Sequence, residues 1–279
     1  GVKNGSAKTV VSAAVTSALV KEAAADQSKT VVIKPEITGD VSKTEVSIPA
    51  STMRQLKSAT SADLTVSTPV ADVTIPNTAL STLSSAGGNV SVMAEQKVNS
   101  VAVTLTAGGK EVKSVPGGLT VTVPVENATP GTVAVLVHKD GARETIRKSI
   151  AGDGKLNIPL DGSATVEIVD NSKGFSDVSP TDWLADAVAF VSAREMFNGT
   201  GETTFSPEQS MSRAMAATVL YNLEGHPEQS GVGGFSDISG NSWYADSVAW
   251  ATENGITTGY SEDQFGPNDS VTREQFAVM

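Results

Sequence analysis

Apolar positions first recur at helical spacing and then, from about residue 30, at a spacing of two. Val10, Val11, Ala14, Val15, Ala18 and Leu19 fall one, three and four residues apart. That stripe predicts a helix over Thr9–Ala25, inside a helical lead-in spanning 1–28. Alternation then predicts short half-buried strands over 30–34, 44–48, 63–67, 72–75 and 89–94. Two of these strands share a continuation: Val46-Ser47-Ile48-Pro49 runs into 51–56, and Val73-Thr74-Ile75-Pro76 runs into 77–83, with a spacing of 27 residues. Proline ends each strand, Ser51 and Asn77 are candidate N-caps of a short helix, and Gly87-Gly88 stops the second one.

Over 101–169, apolar runs are separated by turn chemistry at Gly108-Gly109, Pro116-Gly117-Gly118, Asp140-Gly141, Asp153-Gly154 and Asp161-Gly162. Asp-Gly between alternating runs is a hairpin signal, because both turn residues tolerate positive φ. The pattern predicts an antiparallel meander closing a sandwich-like domain near Asp170, so that 1–172 form one β-rich domain.

From Gly174 the pattern changes. Residues 175–219 superpose on 235–279 at a constant offset of 60 without a gap, pairing Phe175 with Phe235, Asp177 with Asp237, Trp183 with Trp243, Gly199 with Gly259, Phe205 with Phe265 and Arg213 with Arg273. A repeat of this length predicts supersecondary units that share a core. The repeats are expected over 173–230 and 231–279, each with a helix from Trp183 (or Trp243) to about Phe197 (or Asn254), a glycine-containing loop and a second helix opening at Ser212 or Thr272. The fold class expected is therefore multi-domain: a mainly β, sandwich-like N-terminal domain with short helices, followed by all-α helical repeats. Trp183, Ala187, Val188 and Val191 share one helix face, so the tryptophans fit either core packing or ligand contact. The second repeat reaches Met279 inside its second helix. Cover for Phe276 and Val278 is expected from further residues or from a neighbouring chain, which makes self-association through the incomplete repeat array an expected contact.

Composition narrows the function. The chain has 31 acidic and 20 basic residues and a formal charge of −11. That balance disfavours nucleic acid and anionic lipid as partners, which need basic surface. The absence of cysteine excludes disulfides, thiolate metal sites and cysteine nucleophiles. His138 and His226 have no neighbours at metal-ligand or triad spacing. The glycines at 108, 109, 117 and 118 fit hairpins better than a phosphate cradle. No apolar run is long enough to span a bilayer and no signal peptide opens the chain, so a processed protein or a fragment is expected. The expectation is a non-enzyme with no cofactor and no metal.

The twice-repeated pattern Phe-Ser-Asp, Trp, Ala, Gly, Phe-x-Pro and Ser/Thr-Arg resembles the S-layer-homology domain of Gram-positive-type bacteria. The stretch 46–169 is similar to a β-rich domain found beside wall-anchoring repeats, through its two strand-proline elements, Leu105–Gly109 and Gly118–Pro124. The resemblance implies an extracellular, cell-surface protein held non-covalently to the cell wall. In that family three motifs build a pseudo-threefold helical bundle whose grooves bind pyruvylated secondary cell-wall polysaccharide. It implies Asp177, Trp183, Gly199 and Arg213 as polysaccharide-binding residues in the first copy, and Asp237, Trp243, Gly259 and Arg273 in the second. Two departures stand out: Ser212-Arg213-Ala214-Met215 lacks the usual terminal acidic or amide residue, and no third copy follows. The alternative function is a structural S-layer or spacer component whose repeats serve packing.

One physical argument bears on the arginines without the resemblance. Thr272 and Gln275 form a capping-box pair, which places Arg273 at the first helical position. A cation there opposes the partial positive charge of the helix N-terminus, by about 0.3–1 kcal/mol. Each arginine is therefore expected to meet an anion: Asp177 or Asp237 as an ion pair, or an external carboxylate.

Overall fold

The structure, a computed structural model, describes residues 2–25, 30–231 and 234–279. The chain divides into two compact units, Gly1–Val169 and Asp170–Met279. In the first unit the elements run β1 (Val2–Lys3), β2 (Ser6–Val10), α1 (Ala13–Ala25), β3 (Thr30–Ile33), β4 (Lys43–Ile48), α2 (Ala50–Ala59), β5 (Asp63–Ser67), β6 (Asp72–Ile75) and α3 (Asn77–Ser85). There follow β7 (Val90–Gln96), β8 (Ser100–Ala107), β9 (Lys110–Glu111), β10 (Leu119–Pro124), β11 (Thr132–Val137), β12 (Arg143–Ile146), β13 (Ile150–Gly152), β14 (Lys155–Leu160) and β15 (Ala164–Asp170). The second unit contains α4 (Ala185–Ala193), α5 (Arg213–Leu223), α6 (Ala245–Glu253) and α7 (Arg273–Val278).

The strands of the first unit form two sheets. One runs β1-β2-β4-β7-β8-β15-β11-β12, with β9 against β8, and the other runs β13-β14-β10-β6-β5-β3. Helices α1 and α2 carry the chain from the first sheet to the second, which makes β2 parallel to β4 and β3 parallel to β5. Helix α3 carries it back. The two strand-proline-helix elements thus make opposite crossings. Alternation selects the core: in β8 every second residue is buried, and Ile48, Ile75, Leu105, Leu156 and Ile158 are fully enclosed in one cluster fed by both sheets. Each such side chain contributes about 1.5–3 kcal/mol by leaving water.

Several local expectations are corrected. Thr9 and Val10 belong to β2, and the helix begins only at Ala13. Its buried face is Thr16, Leu19 and Ala23, whereas Val10 and Val15 are exposed. The Thr16 hydroxyl meets that of Thr52 at 2.8 Å in the buried seam between α1 and α2, so the face is chosen by a polar pair that an apolar stripe does not mark. Pro49 and Pro76 are the N-cap residues of α2 and α3, with no side-chain cap bond. Asn77 instead reaches back to the preceding loop, donating to the carbonyls of Thr60 and Ala62 and accepting from Lys57 Nζ. Asp153-Gly154 is a hairpin turn with both φ positive. Asp161-Gly162 is not: it passes the chain between sheets, from β14 to β15, where a Cβ on Gly162 would sit 2.5 Å from the Lys113 backbone.

The expectation of all-α repeats is overturned. The chain as a whole is mostly β with a few short helices, and in the second unit these cover only nine, eleven, nine and six residues. The remainder is turn and loop, joined by a bridge between Ser212 and Ser270. The first helix of the first copy ends at Ala193, short of the expected Phe197, whereas that of the second ends at Glu253 with Asn254 as its C-cap, where it was expected. Glu195 takes a φ of 57° two residues past Ala193, and the copies continue as loops held by side chains rather than as further helix.

Candidate functional site

Each repeat builds its loop around one aspartate. Asp177 accepts from the backbone N–H of Phe205 at 2.8 Å and of Ser206 at 2.7 Å. Asp237 does the same to Phe265 at 3.0 Å and Gly266 at 2.8 Å. Two successive N–H groups can face one carboxylate because the second residue is left-handed, φ 59° at Ser206 and 74° at Gly266. The bonds from Phe205 and Ser206 hold the Asp177 carboxyl below its ordinary value. At Asp237 partial burial pulls upward, but the bonds from Phe265 and Gly266 outweigh it and the net shift is also downward. Neither aspartate forms an ion pair with Arg213 or Arg273.

The repeated glycines serve the same loops. A Cβ on Gly199 would meet the Thr204 carbonyl at 2.5 Å and the ring of Phe175 at 2.9 Å, and one on Gly259 would clash with Phe235 and the Gln264 carbonyl. Phe175 packs on Phe205 and Phe235 on Phe265 with ring centroids 5.3 and 5.5 Å apart. The Phe-Ser-Asp element, the glycine and the Phe-x-Pro element are therefore one packed corner, made twice.

Arg213 is only 7% exposed. Ser212 caps α5 through Met215, and the arginine turns away from its own helix end into the loop of the other copy. Its Nε donates to the Phe265 carbonyl at 3.0 Å and Nη2 to that of Thr258 at 2.6 Å. The guanidinium lies 4.6 Å from the ring centroid of Tyr260 and 4.7 Å from that of Phe265. It has no carboxylate partner among the described residues. Arg273, by contrast, is exposed at the start of α7, where Thr272 and Gln275 form the expected capping box.

Two grooves occupy equivalent places in the copies. The first, about 820 Å³, is lined by Gly199, Phe205, Met211, Met215, Asn222 and, from the following copy, Trp243. The second, about 640 Å³, is lined by Gly259, Tyr260, Thr272, Gln275, Glu274 and, from the preceding copy, Arg213. Four of the eight predicted site residues line the grooves, paired across copies: Gly199 joins Trp243, and Gly259 joins Arg213. Asp177, Asp237 and Arg273 line neither groove, and Trp183 is 93% exposed on the surface before α4.

Neither Tyr260 nor Phe265 was among the predicted site residues, although a copy-specific tyrosine beside the repeated glycine was a visible signal. Arg194 was also missed. It is 1% exposed, its guanidinium lies 3.7 Å over the Phe190 ring while Nη1 donates to the Phe190 carbonyl, and burial lowers its pKa to about 10. Its sequence signal was an arginine four residues after an aromatic at a helix end. Among the described residues no group of three His, Asp or Glu could hold a metal, and no helix is long and apolar enough to cross a membrane.

Tandem copies that each lend a side chain to the groove of the other define a repeat-built module. Residues 174–217 and 234–277 match the S-layer homology domain, so the chain carries two of these non-catalytic anchoring domains behind a β-rich region. Among relatives, an endoglucanase of Bacillus sp. (strain KSM-635) is 35% identical over 124 residues, 44% of this chain and 13% of that protein. The surface-layer 125 kDa protein of Lysinibacillus sphaericus is 37% identical over 98 residues, covering 35% and 8%. A cellulosome-anchoring protein of Acetivibrio thermocellus is 31% identical over 110 residues, covering 38% and 24%. The chain spans less than a quarter of the length of each of these relatives, and the endoglucanase is matched over a small part of its length only. The repeats place this protein outside the cell, at the surface or in the wall.

Proposed function

We propose that the chain tethers a secreted protein non-covalently to the cell wall by binding an acidic, pyruvylated wall polysaccharide, and that it has no catalytic role. The observation that carries this is Arg213: a guanidinium almost wholly removed from water, lining the second groove, with two of its donors on backbone carbonyls and, among the described residues, no carboxylate to neutralise it. Arginine carries five N–H donors, which leaves three for a ligand oxygen. A buried charge of this kind favours an anion, and a ketal-linked carboxylate on a sugar supplies one. Trp243 lends the first groove an aromatic wall, and Asp177, Asp237, Gly199 and Gly259 act by shaping the loops that form both grooves. Arg273 and Trp183 stand ready in the same roles for neighbouring copies. We assign 1–172 to the presenting β-rich domain and 173–230 and 231–279 to the two anchoring repeats.

Calorimetric titration of the chain with purified wall polysaccharide, native and depyruvylated, tests the reading. Binding of the native polymer at least tenfold tighter is expected, and equal affinity for the two overturns it. A second reading rests on the carbonyl bonds of Arg213: the arginine locks adjacent repeats together in a structural surface-layer or spacer component. That reading predicts no binding to either polymer.

A further inference from the structure

The first unit has a cleft of its own, about 780 Å³, where residues 34–38, leaving β3, meet one end of the sheet β13-β14-β10-β6-β5-β3. Its floor is a row of side chains on adjacent strands. Ser67 of β5 pairs with Asp72 of β6, and Asp72 with Thr122 of β10; Asn157 of β14 pairs with Thr122 and continues the row. Their neighbours Val66, Val73, Val121 and Ile158 are buried in the core, so alternation turns the row outward. Four strands at the usual sheet spacing make it about 14 Å long. The row is linked but not saturated. Ser67 Oγ donates to Asp72 Oδ1 at 2.7 Å, Lys155 Nζ donates to Asp72 Oδ2 at 3.5 Å, and Thr122 Oγ1 donates to Asn157 Oδ1 at 2.8 Å. That leaves lone pairs on both hydroxyls and the carboxylate, and N–H donors on the Asn157 amide and the Lys155 ammonium. The 34–38 wall adds Lys34 and Glu36, both exposed and without an ion pair among the described residues.

We infer that this cleft binds an uncharged oligosaccharide, giving the β-rich domain its own hold on a glycan, independently of what the repeats bind. Three observations select the ligand. The ionisable side chains lining the cleft are Lys34, Lys155, Glu36 and Asp72, which cancel, so an ionic ligand meets as many like charges as opposite ones. The backbone of the floor strands is committed to the sheet, so only side chains are on offer and a peptide cannot add as a further strand there. Donors and acceptors are interleaved along the row, which matches a chain of hydroxyls, each able to donate and to accept. Pro35, Pro69 and Pro124 supply rigid apolar ledges for the C–H faces of the rings. Residues 1–169 contain no Phe, Tyr or Trp, so stacking contributes nothing and affinity rests on several hydrogen bonds made together. A run of sugars spanning the row is therefore bound in preference to a single one.

The experiment is an NMR titration of the full chain, in which the amide signals of Ser67, Asp72 and Thr122 report on the cleft separately from the repeats. Two uncharged probes distinguish the sources of such a glycan: an N-acetylglucosamine oligosaccharide, for the glycan strands of peptidoglycan, and fragments of depyruvylated wall polysaccharide. At least one is expected to shift these signals saturably, and the one that does so identifies the source. Asp72→Ala and Thr122→Val, each shown by its melting curve to be folded, should weaken that binding at least fivefold; the valine keeps the shape and strand preference of threonine and removes only the hydroxyl. No saturable shift with either probe overturns the inference, as does undiminished binding by either variant. Tighter binding of an oligogalacturonate, an acidic counterpart, overturns it as well, since the cleft would then select charge.

Discussion

Gly266 lies under the ring of Tyr260, where a Cβ would clash with the ring edge, and its φ of 74° already disfavours a side chain. One repeat earlier the same pair is Ser206 and Thr200, whose hydroxyls are hydrogen-bonded at 2.5 Å. The two positions vary together: the copy that gained an aromatic beneath Arg213 has glycine at the turn, and the other tolerates serine at φ 59°. Gly266→Ser is therefore expected to cost about 1–3 kcal/mol in urea denaturation, from left-handed strain and the clash together. Tyr260→Thr in the same chain should recover part of that loss, and Ser206→Gly should change stability by less than about 1 kcal/mol. Additive losses in the double variant would refute the coupling.

The aspartates make the repeats acid-sensitive in a defined direction. Both carboxyls are held below their ordinary value of 3.8 in the folded state. A depressed folded pKa means stability that is complete above the unfolded value and lost as pH falls through the folded one. The melting temperature of the repeats should accordingly be flat from about pH 7 to pH 5 and decline below about pH 4. Replacing both Asp177 and Asp237 by asparagine should lower it at neutral pH and flatten the acid limb. An unchanged acid limb would show that other carboxylates dominate.

Asn77 ties the start of α3 to the loop at 60–62 by two donated bonds and one accepted from Lys57, and it is 8% exposed. Asn77→Ala leaves the Thr60 and Ala62 carbonyls without that partner. A loss of about 2–4 kcal/mol in the first unit is expected by chemical denaturation, well above the cost of a lost helix cap, about 1 kcal/mol. A value near the cap figure would restore the capping role that its position suggests.

Much of this arrangement was legible in the chain, and the failures share a cause. Strands β3 to β7 follow from alternation, because one face of each is buried and period two is unambiguous there. The repeat register follows from the matched Phe-Ser-Asp, Trp, Gly, Phe-x-Pro and Arg positions of the two copies. What alternation does not carry is which sheet a strand joins, so Asp161-Gly162 resembled a hairpin while serving as a crossing. The end of the first helix in the first repeat was placed too late, because an apolar stripe does not reveal that an aspartate and a glycine will hold the next segment as loop. At the site the residue types were visible but their grouping was not. Trp243 faces the groove of the copy before it and Arg213 that of the copy after it, a relation between copies that spacing within one copy cannot express.

The two arginines that the repeat pattern makes equivalent should respond differently to removal. Arg213 is buried, donates to two backbone carbonyls of the other copy and sits between two aromatic rings. Arg213→Ala strands both carbonyls and empties the space over Tyr260 and Phe265, so a loss of about 2–5 kcal/mol is expected. Arg213→Lys keeps the charge without the planar fork and should fall between, since an ammonium cannot reach both carbonyls and stack as well. Arg273 is exposed, and Arg273→Ala should change stability by less than about 0.5 kcal/mol. Urea denaturation of the three variants, followed by calorimetric titration with native polysaccharide at a temperature where each is folded, separates the two roles. A folded Arg213→Lys that binds at least tenfold more weakly assigns the guanidinium to the ligand as well as to the fold. Full affinity in that variant would confine Arg213 to holding the repeats together, and a large stability loss from Arg273→Ala would show that exposure misjudges its role.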